Sequence, residues 1–416
     1  MKRMIPHTTC RMCHKPQLVF AFSLGMTPLA NAFLTREQLD EPEYFYPLDL
    51  YLCQHCGLLQ LGHVVSPEVL FGNYVYVSST SAVFRKHFAN YAADSVKRFS
   101  LTGKDFIVDI GSNDGVLLKP FKELGIKVLG IEPAEKIADV ARTNGVPTES
   151  EFITTQLATK IVDTHGKVSV VTANNVFAHI DNLDEVVQSV KILLRDDGVF
   201  IIEAPYLVDF LEKTYFDLVY HEHISYLALM PLVVFFKRFD MEVFDVIKTD
   251  AHGGSIRVFV KKSNGPYPIT NNVKTFISQE KSMRLAKGQT WKNFEKKILK
   301  NKADVVKLLV TLKLKGKHIA AYGAPAKGNT LLTYFGIGKT LIDFVVDDSS
   351  WKQGLFTPGT HIPVVSSETL YQKKPDYLLI LAWNFAPSIM HMHKKYHTEG
   401  GRFIIPVPRP HVVENL

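Results

Sequence analysis

All four cysteines of the chain lie in its first 56 residues, as Cys10-x-x-Cys13 and Cys53-x-x-Cys56. A C-x-x-C turn brings two sulfurs to one side, and two such turns supply the closed tetrahedral thiolate set that zinc prefers. Cys10, Cys13, Cys53 and Cys56 are therefore read as a structural zinc site. His7, His14 and His55 lie nearby in sequence and are not needed once four thiolates bind. The knuckles are 39 residues apart, which does not resemble a thioredoxin-type redox motif and requires a small β-rich insert between them. The densest ionisable cluster is Tyr220-His221-Glu222-His223. These side chains suit proton movement near neutral pH. The histidines are two positions apart, whereas the helical H-E-x-x-H zinc site places them at i and i+4. Acid–base chemistry is the functional reading of this cluster; a satisfied histidine pair is the structural one.

Two glycine loops carry the remaining chemistry. In the first, a short apolar run over 106–110 contains Asp109 and leads into Gly111-Ser-Asn113-Asp-Gly115, then a helical pattern from 116 to 124. A strand, a glycine turn and a helix open a nucleotide-binding α/β unit, and glycine allows close backbone approach to a ligand. A second strand over 128–131 ends in Glu132, placed to accept hydrogen bonds from ribose hydroxyls. A third over 168–173 is followed by Asn174. The loop lacks the G-x-G-x-x-G of dinucleotide binders, and Asp109 directly precedes it. Both details favour S-adenosylmethionine over NAD, with Asp109, Gly111, Asn113, Gly115, Glu132 and Asn174 as the cofactor set. The second loop, Gly323-Ala-Pro-Ala-Lys327-Gly-Asn329, follows a strand over 317–322 and precedes a helix starting near 329. Its helix terminus and Lys327 could hold a phosphate; otherwise the unit only packs against its neighbour.

The elements around these residues divide the chain. A zinc-binding part over 1–78 is followed by an α/β part over 79–262, with a helix near 81–100, a helix over 183–194 and a strand over 199–203. A turn-rich junction then leads to a helical connector over 263–312, whose long helix pair spans 271–314. Lys296, Lys297, Lys300 and Lys302 there are read as a solvated face. A second α/β part over 313–416 has further strands over 341–346, 377–381 and 403–406. Between the first two parts, Tyr74 and Tyr76 alternate with hydroxyl residues, as an extended linker or as the lining of a cleft.

The glycine loop at 111–115 resembles the first motif of class I S-adenosylmethionine-dependent methyltransferases, with Asn113 in place of the middle glycine. The whole chain resembles the sugar C-methyltransferases that act on nucleotide-linked 4-keto deoxysugars. Its markers are the two cysteine knuckles, Tyr74 to Ser79, Gly111 to Gly115, Asn174 to His179, Phe216 to His223, His252 to Arg257 and Tyr322 to Gly328. The resemblance implies a zinc-binding N-terminal domain, a Rossmann-like methyltransferase domain and a second Rossmann-like C-terminal domain. It implies that Tyr76, His179, Tyr220, Glu222 and His223 form the active site. It also implies that the nucleotide-sugar docks on the C-terminal loop, with Tyr322, Gly323, Lys327 and Asn329 as candidates. The expected reaction is methylation at carbon 3 through an enolate: His223 acts as base, Glu222 orients it, and Tyr76, Tyr220 and His179 hold the keto-sugar. His221 ranks as a neighbour.

Composition sets the outer limits. Hydrophobic residues make up 46% of the 416 and charged residues 21%, enough for two to four domains with ordinary cores. This excludes disordered, collagen-like and disulfide-stapled classes. Forty-eight Lys plus Arg against 41 Asp plus Glu leave +7, which fits one anionic ligand better than a surface built for nucleic acid. No apolar run reaches membrane-spanning length, and the basic start lacks a signal peptide's apolar stretch. A cytoplasmic monomer without nucleic-acid or membrane partners is expected. Three alternatives remain at this stage: a methyltransferase for another small acceptor, an NAD-dependent nucleotide-sugar enzyme, and a non-catalytic scaffold.

Overall fold

The computed structural model describes residues 4–66, 69–70 and 82–415. Tyr74 and Tyr76 lie outside the described residues. The first part contains β1 (Met4–Pro6), β2 (Leu18–Thr27), β3 (Tyr46–Cys53), β4 (Leu59–Leu61) and β5 (His63–Val65). The expected β insert is the antiparallel pair β2–β3, extended by β4, while β1 pairs with β5. Alternation in β3 buries Tyr46, Leu48, Leu50 and Leu52 and leaves Pro47, Asp49 and Tyr51 half-exposed, as a strand with one face on a core requires.

At one end of this sheet the four cysteine sulfurs lie within 4.8 Å of one another. Cys10–Cys56 and Cys13–Cys53 are each 3.5 Å apart. Four thiolates around zinc at ~2.3 Å are spaced by about 3.8 Å, so the cluster fits that ion.

The central part carries β6 (Phe106–Ile110), β7 (Lys127–Ile131), β8 (Thr148–Glu149), β9 (Val168–Asn174) and β10 (Leu194–Pro205). Then come β11 (Ser225–Tyr226), β12 (Met241–Thr249) and β13 (Ser255–Lys262). The sheet order is β12-β13-β10-β9-β6-β7-β8, parallel except at β13, which runs antiparallel to both neighbours. Both faces are covered, so the strands read as continuous apolar runs. Ile107, Val170 and Ile201 pack with Phe88, Tyr91 and Phe121 on one side. Val108, Val171 and Phe200 pack with Leu157, Ile161 and Val190 on the other. The chain reverses direction across the sheet between β6 and β9, where the loops after the strands open a crevice.

β11 does not join this sheet. It pairs with β4 and completes the N-terminal sheet in the order β11-β4-β3-β2. Residues directly after the Tyr220–His223 cluster thus belong physically to the zinc-bearing part. The helix pair is Asn271–Ser282 and Gly288–Leu314. Trp291 and Phe294 of the longer helix pack on Phe22 of β2, with ring centroids 6.3 and 5.4 Å away. Lys296, Lys297 and Lys300 are exposed as expected. Lys302 is not: it is half-buried, and its ammonium donates to the Tyr334 carbonyl over the Tyr334 ring.

The last part forms a six-stranded sheet from β14 (Ile319–Tyr322), β15 (Val345–Val346), β16 (Val364–Val365), β17 (Tyr377–Ile380), β18 (Arg402–Ile405) and β19 (His411–Val413). Its order is β16-β15-β14-β17-β18-β19, parallel except for β19. The expected strand over 341–346 shrinks to two residues. The helix after β14 starts at Ala326, directly after Pro325, which puts Lys327 in its first turn.

Replacing Cys53 by Ser is expected to release zinc from the single four-cysteine cluster found among the described residues. It should also lower the melting temperature by at least about 5 °C. Metal analysis and a thermal scan of the same preparation check both.

Candidate active site

The loops following β6, β7, β9 and β10 open onto a cavity of about 550 Å³. All three parts of the chain line it. Asn31 and Val65 come from the first part, Asp109, Glu132, His179 and His223 from the second, and Lys327 and Asn384 from the third.

The glycine loop shapes one wall. Gly111 sits at φ 68, and a Cβ there would meet Val176 at 2.6 Å. Asn113 sits at φ 49. Asn is among the few non-glycine residues that tolerate this left-handed conformation. The departure from the glycine pattern therefore keeps the backbone geometry. Gly115 does not line the cavity; its φ of 80 and the close approach of Val146 give it a packing role. Glu132 accepts the Asn113 and Ala134 backbone N–H groups, both at 3.0 Å, and so holds the loop. Asp109 lies beneath, accepting from Thr172 Oγ1 at 2.5 Å and from Asn174 Nδ2 at 3.4 Å. Burial pushes its carboxyl up to about 7 against those two hydrogen bonds. Asn175, missed in the sequence reading, lines the same wall at φ 55. Among the described residues, the buried Oδ1 atoms of Asn174 and Asn175 have no hydrogen-bond partner.

The histidine cluster forms the facing wall. Ahead of it, the 3-10 turn Phe216–Leu218 is pinned from beneath, where the buried Asp217 accepts Trp383 Nε1–H from the C-terminal part. The Leu218 carbonyl accepts His223 Nδ1–H at 2.9 Å. This leaves Nε2 as the lone-pair nitrogen, and it accepts from the Tyr220 hydroxyl at 2.6 Å. The His179 ring stacks on His223 at 4.8 Å. Glu222 does not orient His223, contrary to expectation. Consecutive side chains diverge here, and Glu222 instead accepts from Asn31 Nδ2 at 2.6 Å. Burial pushes its carboxyl up to about 7, opposed by the Asn31 hydrogen bond. His221 faces away, donating to the Tyr46 carbonyl at 3.2 Å, and burial lowers it to about 4.

Of the four C-terminal candidates, Lys327 lines the cavity. Its ammonium lies 3.6 Å from the Trp383 ring centroid and donates to Asn384. Burial pushes Asp217 up and Lys327 down, and their opposite charges resist both shifts. The other three have different partners. Tyr322 donates to Asp348 at 2.6 Å. The Gly323 N–H donates to Val346 O at 2.7 Å. Asn329 donates to the Ala30 carbonyl at 2.7 Å and joins the last part to the first.

Residues 10–71 match the family description of a zinc binding domain, 84–246 a methyltransferase domain, and 250–408 a C-methyltransferase C-terminal domain. The C-methyltransferase NovU of Streptomyces niveus is 38% identical over 408 residues, covering 98% of this chain and 97% of its own. The chain belongs to this S-adenosylmethionine-dependent C-methyltransferase family. The ubiquinone biosynthesis O-methyltransferase of Glaesserella parasuis serovar 5 is 31% identical over 115 residues, 26% of this chain and 48% of its own. A solved S-adenosylmethionine-dependent methyltransferase from Anabaena variabilis aligns with 47% of this chain and 91% of its own. Its 15% identity and TM-score of 0.36 are too low to bear on the site.

The cofactor of this C-methyltransferase fits the glycine-loop side of the cavity. The unpartnered acceptors of Asn174 and Asn175 suit an ammonium group, Glu132 retains lone pairs for hydroxyl donors, and Ile131 and Ile153 supply apolar wall. Glu132→Gln replaces one of two acceptors with a donor facing a backbone N–H. It should weaken S-adenosylmethionine binding about tenfold or more, read by calorimetry. Asp109 and Glu222 also shape the pH dependence of stability. Both are raised well above their ordinary values of 3.8 and 4.5, so between those values and about 7 the folded state holds protons that the unfolded chain has lost. Stability therefore falls as pH rises through that window and levels off above it. Glu222→Gln should remove its share of the fall, up to ~3 kcal/mol, in urea titrations at pH 5 and pH 8 compared with wild type.

Proposed function

We propose that this C-methyltransferase methylates a nucleotide-linked 4-keto deoxysugar at carbon 3. The carrying observation is the His223 ring: its Nδ1–H is tied to Leu218 O, its Nε2 is a lone-pair acceptor, and it lies in the same cavity as the glycine loop. A ketone at carbon 4 acidifies the carbon 3 hydrogen, and a neutral imidazole nitrogen is a base suited to that proton. When bound, S-adenosylmethionine supplies an electrophilic methyl group on its sulfonium. With the keto-sugar bound, the Tyr220 hydroxyl turns from Nε2 to the carbon 4 oxygen, with His179 alongside, and so uncovers the Nε2 lone pair. His223 Nε2 then takes the carbon 3 proton, and the enolate carbon so formed would take the methyl as its bond to sulfur breaks, leaving a neutral thioether. Lys327 and Asn384 supply a polar end to the same cavity from the C-terminal part, which supports that end as the seat of the anionic nucleotide portion.

Four free cysteines suited to metal support a reducing compartment such as the cytoplasm. No helix among the described residues is long and apolar enough to cross a membrane.

Incubation with S-adenosylmethionine and a TDP-linked 4-keto-6-deoxysugar, followed by mass spectrometry and NMR of the sugar, should show one methyl group on carbon 3. His223→Asn should lower turnover by about a thousandfold or more while leaving cofactor affinity within about threefold. Near-normal turnover in that variant would remove His223 as the base, and absence of transfer by the wild type would remove the keto-sugar.

A further inference from the structure

Arg11 lies between the first two cysteines, where a knuckle residue would ordinarily face water. Here it is 4% exposed. Its guanidinium joins three segments distant in sequence. Nε donates to Asp181 Oδ1 at 3.0 Å, and one terminal nitrogen donates to Leu61 O at 2.8 Å and to Ile224 O at 3.1 Å. Asp181 is two residues beyond His179, and Ile224 directly follows His223. The same two segments also bond to each other, Ile224 N–H to Ala178 O at 3.1 Å. A planar fork of fixed donors suits such a junction, and a point-charge ammonium does not. Cys10 and Cys13, as metal ligands, fix the backbone on both sides of Arg11, and the Arg11 N–H donates to Gln60 Oε1 at 2.9 Å.

We propose that the zinc knuckle serves catalysis through Arg11, a positioning residue that holds the segments bearing His179 and His223 in register. None of the four cysteines lines the cavity; an ion held by them would fix the residue whose guanidinium sets the spacing of the two rings. The activity half of the test rests on the keto-sugar reading, and the structural half does not.

The test uses the zinc-loaded full chain with S-adenosylmethionine bound, comparing wild type, Arg11→Met and Arg11→Lys. Methionine keeps an apolar stem, and lysine keeps stem and charge without the fork. In Arg11→Met, amide exchange in segments 177–182 and 222–226 should rise about tenfold or more. Zinc content and cofactor affinity should stay at wild-type levels. Turnover on the TDP-linked keto-sugar should fall about 10- to 100-fold at nearly constant KM. Arg11→Lys should fall between, and it carries the test if the methionine variant does not fold. Combining Arg11→Met with Asp181→Asn should add less than the sum of the two single effects. Wild-type exchange in both segments overturns the proposal, as does loss of zinc from both Arg11 variants, which would confine Arg11 to the knuckle. If the wild type itself does not turn over the keto-sugar, the substrate reading fails while the exchange data still decide the role of Arg11.

Discussion

The hydrogen bond from His223 Nδ1 to the Leu218 carbonyl is the constraint on which the chemistry of the site depends. An imidazole can act as a base at one nitrogen only if its tautomer is set, and a backbone acceptor sets it more rigidly than a mobile carboxylate would. That carbonyl is itself held in place. Asp217, one residue earlier, accepts the Trp383 indole N–H in a fully buried position. Trp383 also packs on Tyr215 at 4.0 Å, so the turn is gripped on both sides by the C-terminal part. The base is thus oriented by one part of the chain and braced by another.

The same arrangement explains why the zinc-bearing part is more than a separate module. Its sheet leaves β4 as an open edge until β11 is added from the segment following His223. Arg238 of the central part donates to the Met12 carbonyl within the knuckle and pairs with Asp184. On the far side, Trp291 and Phe294 bury large aromatic area against Phe22, each side chain worth roughly 2–3 kcal/mol. A cavity formed at this junction is lined by packed elements from all three parts of the chain, an arrangement that suits a reaction in which a carbon acid and a methyl donor must meet at fixed distance.

Much of this was legible in the residues. The paired C-x-x-C spacing sufficed for the zinc set because knuckle geometry is local. The strand–glycine–helix pattern sufficed for the backbone of the loop at 111–115 because positive-φ positions declare themselves through Gly and Asn; Asn113 was an apparent departure that the backbone resolves. The misreadings have a common cause. Glu222 was assigned to its sequence neighbour His223, but adjacent side chains diverge and its partner is Asn31, 191 positions away. Tyr322 and Asn329 carry suitable groups beside a glycine loop, yet Asp348 and Ala30 claim them. Lys302 looked like one more solvated lysine until the Tyr334 ring was folded over it.

By itself the sequence determined what depends on short-range stereochemistry: the order of strands and helices, the thiolate set, the turn backbone after β6 and the residue types able to move protons. Tertiary structure alone decided what depends on long-range packing. It chose which nitrogen of His223 is the acceptor, turned His221 to the core, and placed Asn31, Asn175 and Asn384 around one cavity. Side-chain direction and burial are set largely by neighbours far along the chain, Tyr46 for His221, Asn31 for Glu222 and Trp383 for the turn that holds His223, and no local pattern encodes them. The pKa of a carboxyl such as Asp109 or Glu222 follows that burial, so even its charge near neutrality is a property of the fold rather than of the residue.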